Sequence, residues 1–242
     1  GLSNALLTCD SLANGEFTGV SNLGISDGIV LSSGAVETDT PANYGLNGLP
    51  STLATYALGT SGDVMLNGLV TPSITYDACI LEFDIQPVGN FVEFEYVFGS
   101  EEYPEFNCSA FNDVFGFFIS GPGFATPTNI ALVPSTTIPV SINSINDGSV
   151  TGVGCPINTA LYVNNTDTFS TIDGFTTPLI AYANVTPGAV YHLKLAIADV
   201  ADAILNSYVL LKANSLKSGS TDPIGIAEVN VQNDCKVFPI PM

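Results

Sequence analysis

The stretch that says most about the fold runs from Val97 to Gly123 and reads VFGSEEYPEFNCSAFNDVFGFFISGPG. Its segment VFGFFI, Val114 to Ile119, is apolar on both faces, which is typical of a central strand in a covered sheet. Two polar pairs, Glu101-Glu102 and Asn112-Asp113, lie between the apolar segments. The apolar segments can be buried, whereas buried carboxylates are costly unless something positive meets them. The stretch therefore predicts sheet-forming strands with an acidic connection between them.

Two segments just upstream alternate apolar and acidic residues, as half-buried strands do. They are Ile80–Gln86 and Phe91–Phe98, and a four-residue turn joins them. We predict that they form a hairpin, in which carboxylates would face one another on the outer side and destabilise the pair. We expect at least one of the two lysines in predicted strands, Lys194 or Lys212, to lie beside these carboxylates.

Strand patterns recur along the rest of the chain, and no helical periodicity is sustained for three turns. Many short strands at roughly even spacing predict an all-β fold, a β-sandwich of jelly-roll type. We predict one domain over residues 1–213. Residues 214–242 would form a linker and a strand-like C-terminal tail.

The composition is both acidic and apolar. The 242 residues include 23 acids against four lysines, giving a net charge of −19, and 46% of the residues are hydrophobic. This charge repels phosphates and anionic membranes, so we expect no nucleic-acid partner. We also expect no membrane insertion, because no apolar run approaches the ~20 residues of a spanning helix. A chain with this large a hydrophobic fraction must bury apolar surface, either in a complete core or against other subunits.

Five cysteines without a C-x-x-C motif or a histidine cluster argue against a zinc site and for an exported, oxidised protein. The cysteines allow many pairings, and the residues alone leave the choice open. The single histidine, His192, lies in a predicted strand without a serine or cysteine in a nucleophile–base pattern. We therefore expect no enzymatic activity.

The stretch quoted first resembles the signature of the choice-of-anchor L domain, a module of secreted bacterial surface proteins. Four further segments match the same family, in order: Gly28–Gly34, Asn129–Asp147, Asp173–Leu179 and Tyr191–Asp202. The resemblance covers roughly residues 20 to 213. It implies a secreted protein at an extracellular or outer-cell-surface location.

The resemblance also implies a disulfide between Cys108 and Cys155, because cysteines are common near both positions in this family. A Cys9–Cys79 bond is a weaker second pairing, which leaves Cys235 free or available to cross-link subunits. The chain's end resembles the opening of a type nine secretion C-terminal sorting domain, with Phe238-Pro-Ile-Pro where that family has Pro-Asn-Pro. Whether the chain ends are processed or excerpted stays open.

Acidic and amide side chains of the family segments offer the oxygen ligands that calcium prefers. A calcium site would form if these segments converge at one end of the sandwich. The alternative is that the Asp and Asn side chains satisfy turn backbone groups and that Glu101 or Glu102 pairs with a lysine. The candidate ligands are Glu101, Glu102, Asn112, Asp113, Asp173, Asp199 and Asp202.

The predicted function is that of a non-catalytic extracellular cell-surface protein, acting in adhesion or as a structural subunit. We hypothesise that the tail of one subunit completes the sheet of the next in a head-to-tail filament. The candidate assembly residues are Ile226, Val229, Val231 and Cys235. Two alternatives remain: a monomeric module of a larger adhesin, and a calcium-dependent carbohydrate-binding module of such an adhesin. The partner would be a further copy or another cell-surface or extracellular molecule.

Overall fold

The computed structural model describes residues 1–19, 22–36, 55–149, 155, 158–166 and 170–220. These residues form thirteen β-strands, one short α-helix and a 3₁₀ turn at Thr159–Leu161. The elements are β1 (Leu2–Thr8), β2 (Asn14–Thr18), β3 (Asp27–Ser32), α1 (Val64–Leu69), β4 (Thr75–Ile85), β5 (Phe91–Ser100), β6 (Val114–Ser120), β7 (Thr128–Asn129), β8 (Tyr162–Asn164), β9 (Gly174–Thr176), β10 (Leu179–Asn184), β11 (Tyr191–Val200), β12 (Ser207–Lys212) and β13 (Lys217–Gly219).

The strands form two antiparallel sheets. The first sheet has the order β1-β4-β11-β6-β7, and the second has the order β2-β3-β12-β5-β9-β8, with β10 and β13 also paired to β5. Aromatic rings from the two sheets meet between them: the ring centroids of Tyr96 and Phe115 lie 5.1 Å apart, and those of Phe94 and Phe117 lie 5.9 Å apart. Two sheets packed face to face over a shared core make a β-sandwich. The predicted all-β class is confirmed.

Both faces of strand β6 are covered by other parts of the protein, which explains why its segment is apolar on both faces. It lies between β11 and β7 in the first sheet. Phe115 and Phe117 belong to the core between the sheets, whereas Phe118 on the opposite face packs in a second cluster with Leu66 of α1. A Cβ atom at Gly116 would lie 2.9 Å from Leu66 Cδ2, so the helix comes close to this strand. The prediction of a central strand is confirmed.

The predicted hairpin between Ile80–Gln86 and Phe91–Phe98 is wrong. Strand β4 pairs with β1 and β11 in the first sheet, whereas β5 belongs to the second sheet. The chain therefore crosses from one sheet to the other between β4 and β5. The arrangement avoids facing carboxylates, because the acids of each strand meet strands that carry basic residues.

The acids on β4 and β5 are paired with basic side chains from later strands. In the register of β11 with β4, His192 lies opposite Asp84 and Lys194 opposite Glu82. On the second sheet, Lys212 Nζ lies 2.7 Å from Glu95 Oε2. The expectation that a lysine lies beside these carboxylates is confirmed.

Strand β13 extends the second sheet beyond residue 213. Lys217–Gly219 lies in the predicted linker and pairs with the start of β5. The Gly89 N–H donates to Ser218 Oγ at 2.9 Å, and the Asn90 N–H donates to the Gly219 carbonyl at 2.8 Å. The connection between β4 and β5 therefore holds β13 in place.

Two disulfides bind distant parts of the sandwich together. Cys9, directly after β1, is bonded to Cys79 in β4. Cys108, in the connection from β5 to β6, is bonded to Cys155 in the loop before β8. These are the two pairings named from the sequence, and Cys235 lies outside the described residues. No helix in the described part of the chain is long and apolar enough to cross a membrane.

Candidate functional site

Four acidic side chains meet at one end of the sandwich, and we call them the acid centre: Glu102, Asp113, Asp199 and Asp202. The fold brings them together because β5 ends, β6 begins, β11 ends and β12 begins at this same end. Their side chains act on one another electrostatically, with Asp113 as the common neighbour of the other three. All four were candidate calcium ligands from the sequence.

Asp113 is held in place by hydrogen bonds from the first and the second sheet. Its side chain is buried. Asp113 Oδ1 accepts the Val200 N–H of β11 at 2.9 Å, and Oδ2 accepts the Ser207 hydroxyl of β12 at 2.7 Å. The carboxylate therefore links the sheets, and both of its oxygens already have a partner.

Glu102 and Asp199 each carry a buried oxygen atom that has no hydrogen-bond partner. Both residues are only 2% exposed. The atoms are Glu102 Oε2 and Asp199 Oδ1. Buried polar atoms are nearly always hydrogen-bonded in folded proteins, so an unpartnered one calls for an explanation. Unpartnered carboxylate oxygens are more costly than neutral groups.

Burial and like charge raise the pKa of three carboxyl groups of the acid centre, those of Glu102, Asp113 and Asp199. Burial raises the pKa of Glu102 to about 9, with smaller contributions from the charges of Asp113 and Asp202. Burial raises the pKa of Asp113 to about 7, although the hydrogen bonds from Ser207 and Val200 act in the opposite direction. Burial, followed by the charge of Asp113, raises the pKa of Asp199 well above its ordinary value. Among the described residues, no positive side chain is placed to lower these pKa values.

The basic side chains of the described residues lie elsewhere. They pair as Lys194 with Asp63, Lys212 with Glu95, Lys217 with Glu93, and His192 with Glu82 and Asp84. Within the described ranges, then, no lysine or histidine neutralises the acid centre. The alternative that Glu102 pairs with a lysine is not realised among the described residues.

The other three candidate ligands lie apart from the acid centre or act in turns. Asn112 Oδ1 accepts the Asn143 N–H at 2.8 Å and so holds a neighbouring loop. Asp173 lies near Glu105, and burial followed by that charge raises the pKa of Asp173 to about 7. Glu101 is buried, and its N–H donates to the Asn206 carbonyl at 3.1 Å.

Sequence reasoning did not single out Asp77, which lies beside Asp199. This residue is fully buried near the start of β4 and has a left-handed φ of 50°. Asp77 Oδ2 accepts the Leu58 N–H at 2.8 Å, and Oδ1 accepts the Thr60 N–H at 2.5 Å. Its role is to fix the segment before α1. A lone acid within the apolar run TYDACI is the sequence signal that could have found it.

The acid centre does not have the geometry of a ready-made metal site. Among the described residues, no three histidine, cysteine or acidic side chains are placed so that they could hold a metal ion. What the arrangement offers is three buried carboxyl groups, two unpartnered oxygens and the half-buried Asp202, whose Oδ1 accepts the Ile204 N–H at 3.1 Å.

A second feature with functional consequences is the outer edge of β1. This strand pairs with β4 and with no other described strand. Every residue of β1 except Leu7 is exposed. The strand reads LSNALLT and carries no charged side chain and no proline. It therefore lacks the charges that commonly keep an edge strand from pairing with another chain.

The family model of the choice-of-anchor L domain matches residues 2–217. The chain belongs to the choice-of-anchor L family. Comparison with curated proteins and with solved structures found no match. In this choice-of-anchor L domain, both the acid centre and the β1 edge lie within the matched residues. The two disulfides fit an extracellular location, where thiols are oxidised.

Proposed function

We propose that this choice-of-anchor L domain is a secreted, non-catalytic component of the outer cell surface. It serves as a structural or adhesive subunit, and it associates with further copies of itself by strand addition at β1. The observation that carries this proposal is the uncharged, exposed edge of β1. The jelly-roll arrangement belongs to the same proposal, since the chain crosses repeatedly between its two sheets.

Strand addition fits the β1 edge for two physical reasons. An added strand satisfies backbone N–H and C=O groups that otherwise face solvent. It also covers apolar side chains, because Leu6 is 56% exposed and Leu2 is 38% exposed. The net charge of −19 opposes the approach of two copies. We expect salt to favour association, because about 0.15 M salt screens charges beyond about 8 Å.

We propose the C-terminal tail of a second copy as the added strand. The segment Ile226 to Val231 has strand-like alternation, with Val229 between its ends, and Cys235 follows. These tail residues lie outside the described part of the chain. Donor and acceptor are different surfaces, so each added copy presents a new β1 edge. Such a contact gives an open filament instead of a closed dimer.

Electron microscopy and light scattering of the full chain test this proposal. We expect regular filaments from the unaltered protein. We expect only monodisperse particles from Leu6→Lys, because a charge on the edge opposes strand pairing. Deletion of residues 226–242 should also abolish filaments, and adding the deleted peptide should cap the β1 edge.

The control is Val88→Lys, which adds the same charge at a 67% exposed residue in the turn between β4 and β5. Its filaments should be unchanged. Monodisperse unaltered protein at every salt concentration would refute self-association. In that case, binding of a particular glycan by the monomer would favour the alternative, a calcium-dependent carbohydrate-binding module of a larger adhesin.

A further inference from the structure

Strand β10 is an open edge of the second sheet. It pairs with β5 and with no other described strand. Its sequence, LIAYAN, carries no charge and no proline, and its pairing with β5 runs without a register shift over all six residues. Charges, prolines and bulges commonly keep an edge strand from pairing with another chain. Strand β10 has none of these features.

Two large apolar side chains of β10 are exposed on its outer face. Ile180 is 57% exposed and Tyr182 is 41% exposed. The alternate residues Ala181 and Ala183 belong to the core. The Phe91 ring of β5 stacks on the Tyr182 ring with centroids 5.6 Å apart, so Tyr182 is already held in place. A side chain that is ordered beforehand loses less conformational entropy when a partner covers it.

The acids of the strand beside β10 are each paired with a lysine. The two acids of β5 directly opposite the exposed side chains of β10 are Glu93 and Glu95. Glu95 Oε2 lies 2.7 Å from Lys212 Nζ, and Glu93 Oε1 lies 3.8 Å from Lys217 Nζ. Two of the chain's four lysines therefore lie close to this edge. A second copy, which carries the same net charge of −19, meets less repulsion here than at an uncompensated acidic surface.

We propose that β10 pairs antiparallel with β10 of a second copy across a two-fold axis, which joins the second sheets of the two copies into one continuous sheet. A two-fold contact brings identical surfaces together and closes as a dimer. With the outer faces of both copies on the same side, Tyr182 lies opposite Ile180 or Tyr182 of the second copy. Aromatic pairs of either kind stabilise neighbouring strands. This contact is separate from strand addition at β1.

A second copy fits this edge better than an unrelated partner does. A cationic partner is attracted to acidic side chains, and β10 carries none. An anionic partner is repelled by the chain as a whole. The strand is complementary to itself, because antiparallel pairing of two copies brings neither a charge nor a proline into the ladder. The pairing also satisfies backbone groups of both edges and covers Ile180 and Tyr182.

Light scattering during size-exclusion chromatography tests the dimer. The protein used is the full chain carrying Leu6→Lys, which removes the β1 contact; if the unaltered protein forms no filaments, it is measured as well. We expect the mass to rise with protein concentration from that of one chain, 25.1 kDa, to twice that value and no further. About 0.15 M salt should favour the dimer, because it screens charges beyond about 8 Å. A mass of one chain at every soluble concentration would overturn the proposal.

Ile180→Lys, added to the same chain, locates the contact. Both copies in a two-fold dimer carry the change, so the dissociation constant should rise at least about tenfold, which corresponds to 1.4 kcal/mol. The matched control is Ile204→Lys, at a 53% exposed isoleucine in the connection between β11 and β12. The control should dimerise like its parent. Equal weakening of the dimer by both changes would place the contact elsewhere and overturn the proposal.

Hydrogen exchange distinguishes strand pairing from a contact of side chains alone. Amides of Leu179–Asn184 should exchange more slowly at concentrations where the dimer forms, and Ile180→Lys should abolish this protection. A dimer without added protection in β10 would refute strand pairing. Deletion of residues 226–242 should leave the dimer intact. Loss of the dimer on that deletion would also overturn the proposal, because the tail would then be the strand added to β10.

Discussion

At the scale of single residues, His192 contacts two carboxylates, one at each of its ring nitrogens. Its Nδ1 lies 2.8 Å from Asp84 Oδ1, and its Nε2 lies 3.2 Å from Glu82 Oε1. Burial lowers the pKa of His192, but the hydrogen bonds to the two carboxylates outweigh burial and raise the pKa above the ordinary value. Hydrogen bonds from Asn4 and then from His192 lower the pKa of Asp84.

These shifts predict how the pair contributes to stability. The raised pKa of His192 stabilises the fold at pH values below the unfolded pKa of about 6.5, and this contribution is lost as the pH rises through the folded pKa. The lowered pKa of Asp84 stabilises the fold above its unfolded pKa and is lost on acidification. The pair is therefore strongest in the mildly acidic range.

Nuclear magnetic resonance measures this directly, because the chain has one histidine. We expect the His192 imidazole to titrate with a midpoint above about 6.5. Asp84→Asn should lower that midpoint, since it removes the closer carboxylate. Glu93→Gln, on the other sheet, should leave it unchanged. A midpoint at or below the ordinary value would contradict the observed contacts.

At the scale of elements, the strands β4 and β5 mark where sequence reasoning succeeds and where it fails. The alternation correctly indicates that Phe83 and Ile85 are buried and that Asp84 between them faces outward. The alternation could not predict which strands pair with β4 and β5. A hairpin and a crossing between sheets bury the same alternate residues, so the two share one sequence pattern. The pairing was decided by β11 and β12, which are more than a hundred residues away.

For the acid centre, too, the sequence identifies the residues but not which of them lie together. Acids next to strand ends gather where those ends meet, which is why Glu102, Asp113 and Asp199 lie together. Asp173 lies near Glu105 instead, because its position depends on how β9 pairs with β8 and β5. Local patterns identify the residues of such a cluster, but only the topology decides which of them meet.

A prediction at this scale concerns the docking of β13. A Cβ atom on Gly89 would lie within 2 Å of the Gly219 carbonyl oxygen, which is backbone and cannot rotate away. We expect Gly89→Ala to displace β13 from β5 and to lower the free energy of unfolding by about 1–3 kcal/mol. Hydrogen exchange should become faster at Lys217–Gly219 and stay slow in β6 and β11.

The control is Gly68→Ala in α1, where an added Cβ meets nothing within 4 Å. That change should raise the free energy of unfolding by about 0.5–1 kcal/mol, because alanine favours the helix. Unchanged exchange at β13 in Gly89→Ala would show that the turn does not hold this strand.

At the scale of the whole molecule, the disulfides restrict the unfolded chain. Cys9–Cys79 spans 70 residues and Cys108–Cys155 spans 47. Loop-closure entropy for rings of these sizes is worth about 4 kcal/mol each. We expect replacement of either pair by serine to lower the free energy of unfolding by up to that amount, measured by urea unfolding.

Cys235→Ser is the matched control, because it changes the same residue type outside both rings. Its unfolding free energy should stay within about 0.5 kcal/mol of the unaltered value. If removal of a ring changed the free energy no more than this control does, that ring would not be restricting the unfolded chain.

The Cys9–Cys79 bond also governs how the domain responds to a pulling force. Tension applied at residue 1 can peel β1 only as far as Cys9, and the load then passes directly to Cys79 in β4. Residues 10–78 carry no load, and the same holds for those between Cys108 and Cys155. An oxidised domain can therefore release only about half of its extended length, at roughly 3.6 Å per residue. Reduction of both disulfides would allow the unfolded chain to extend to its full length.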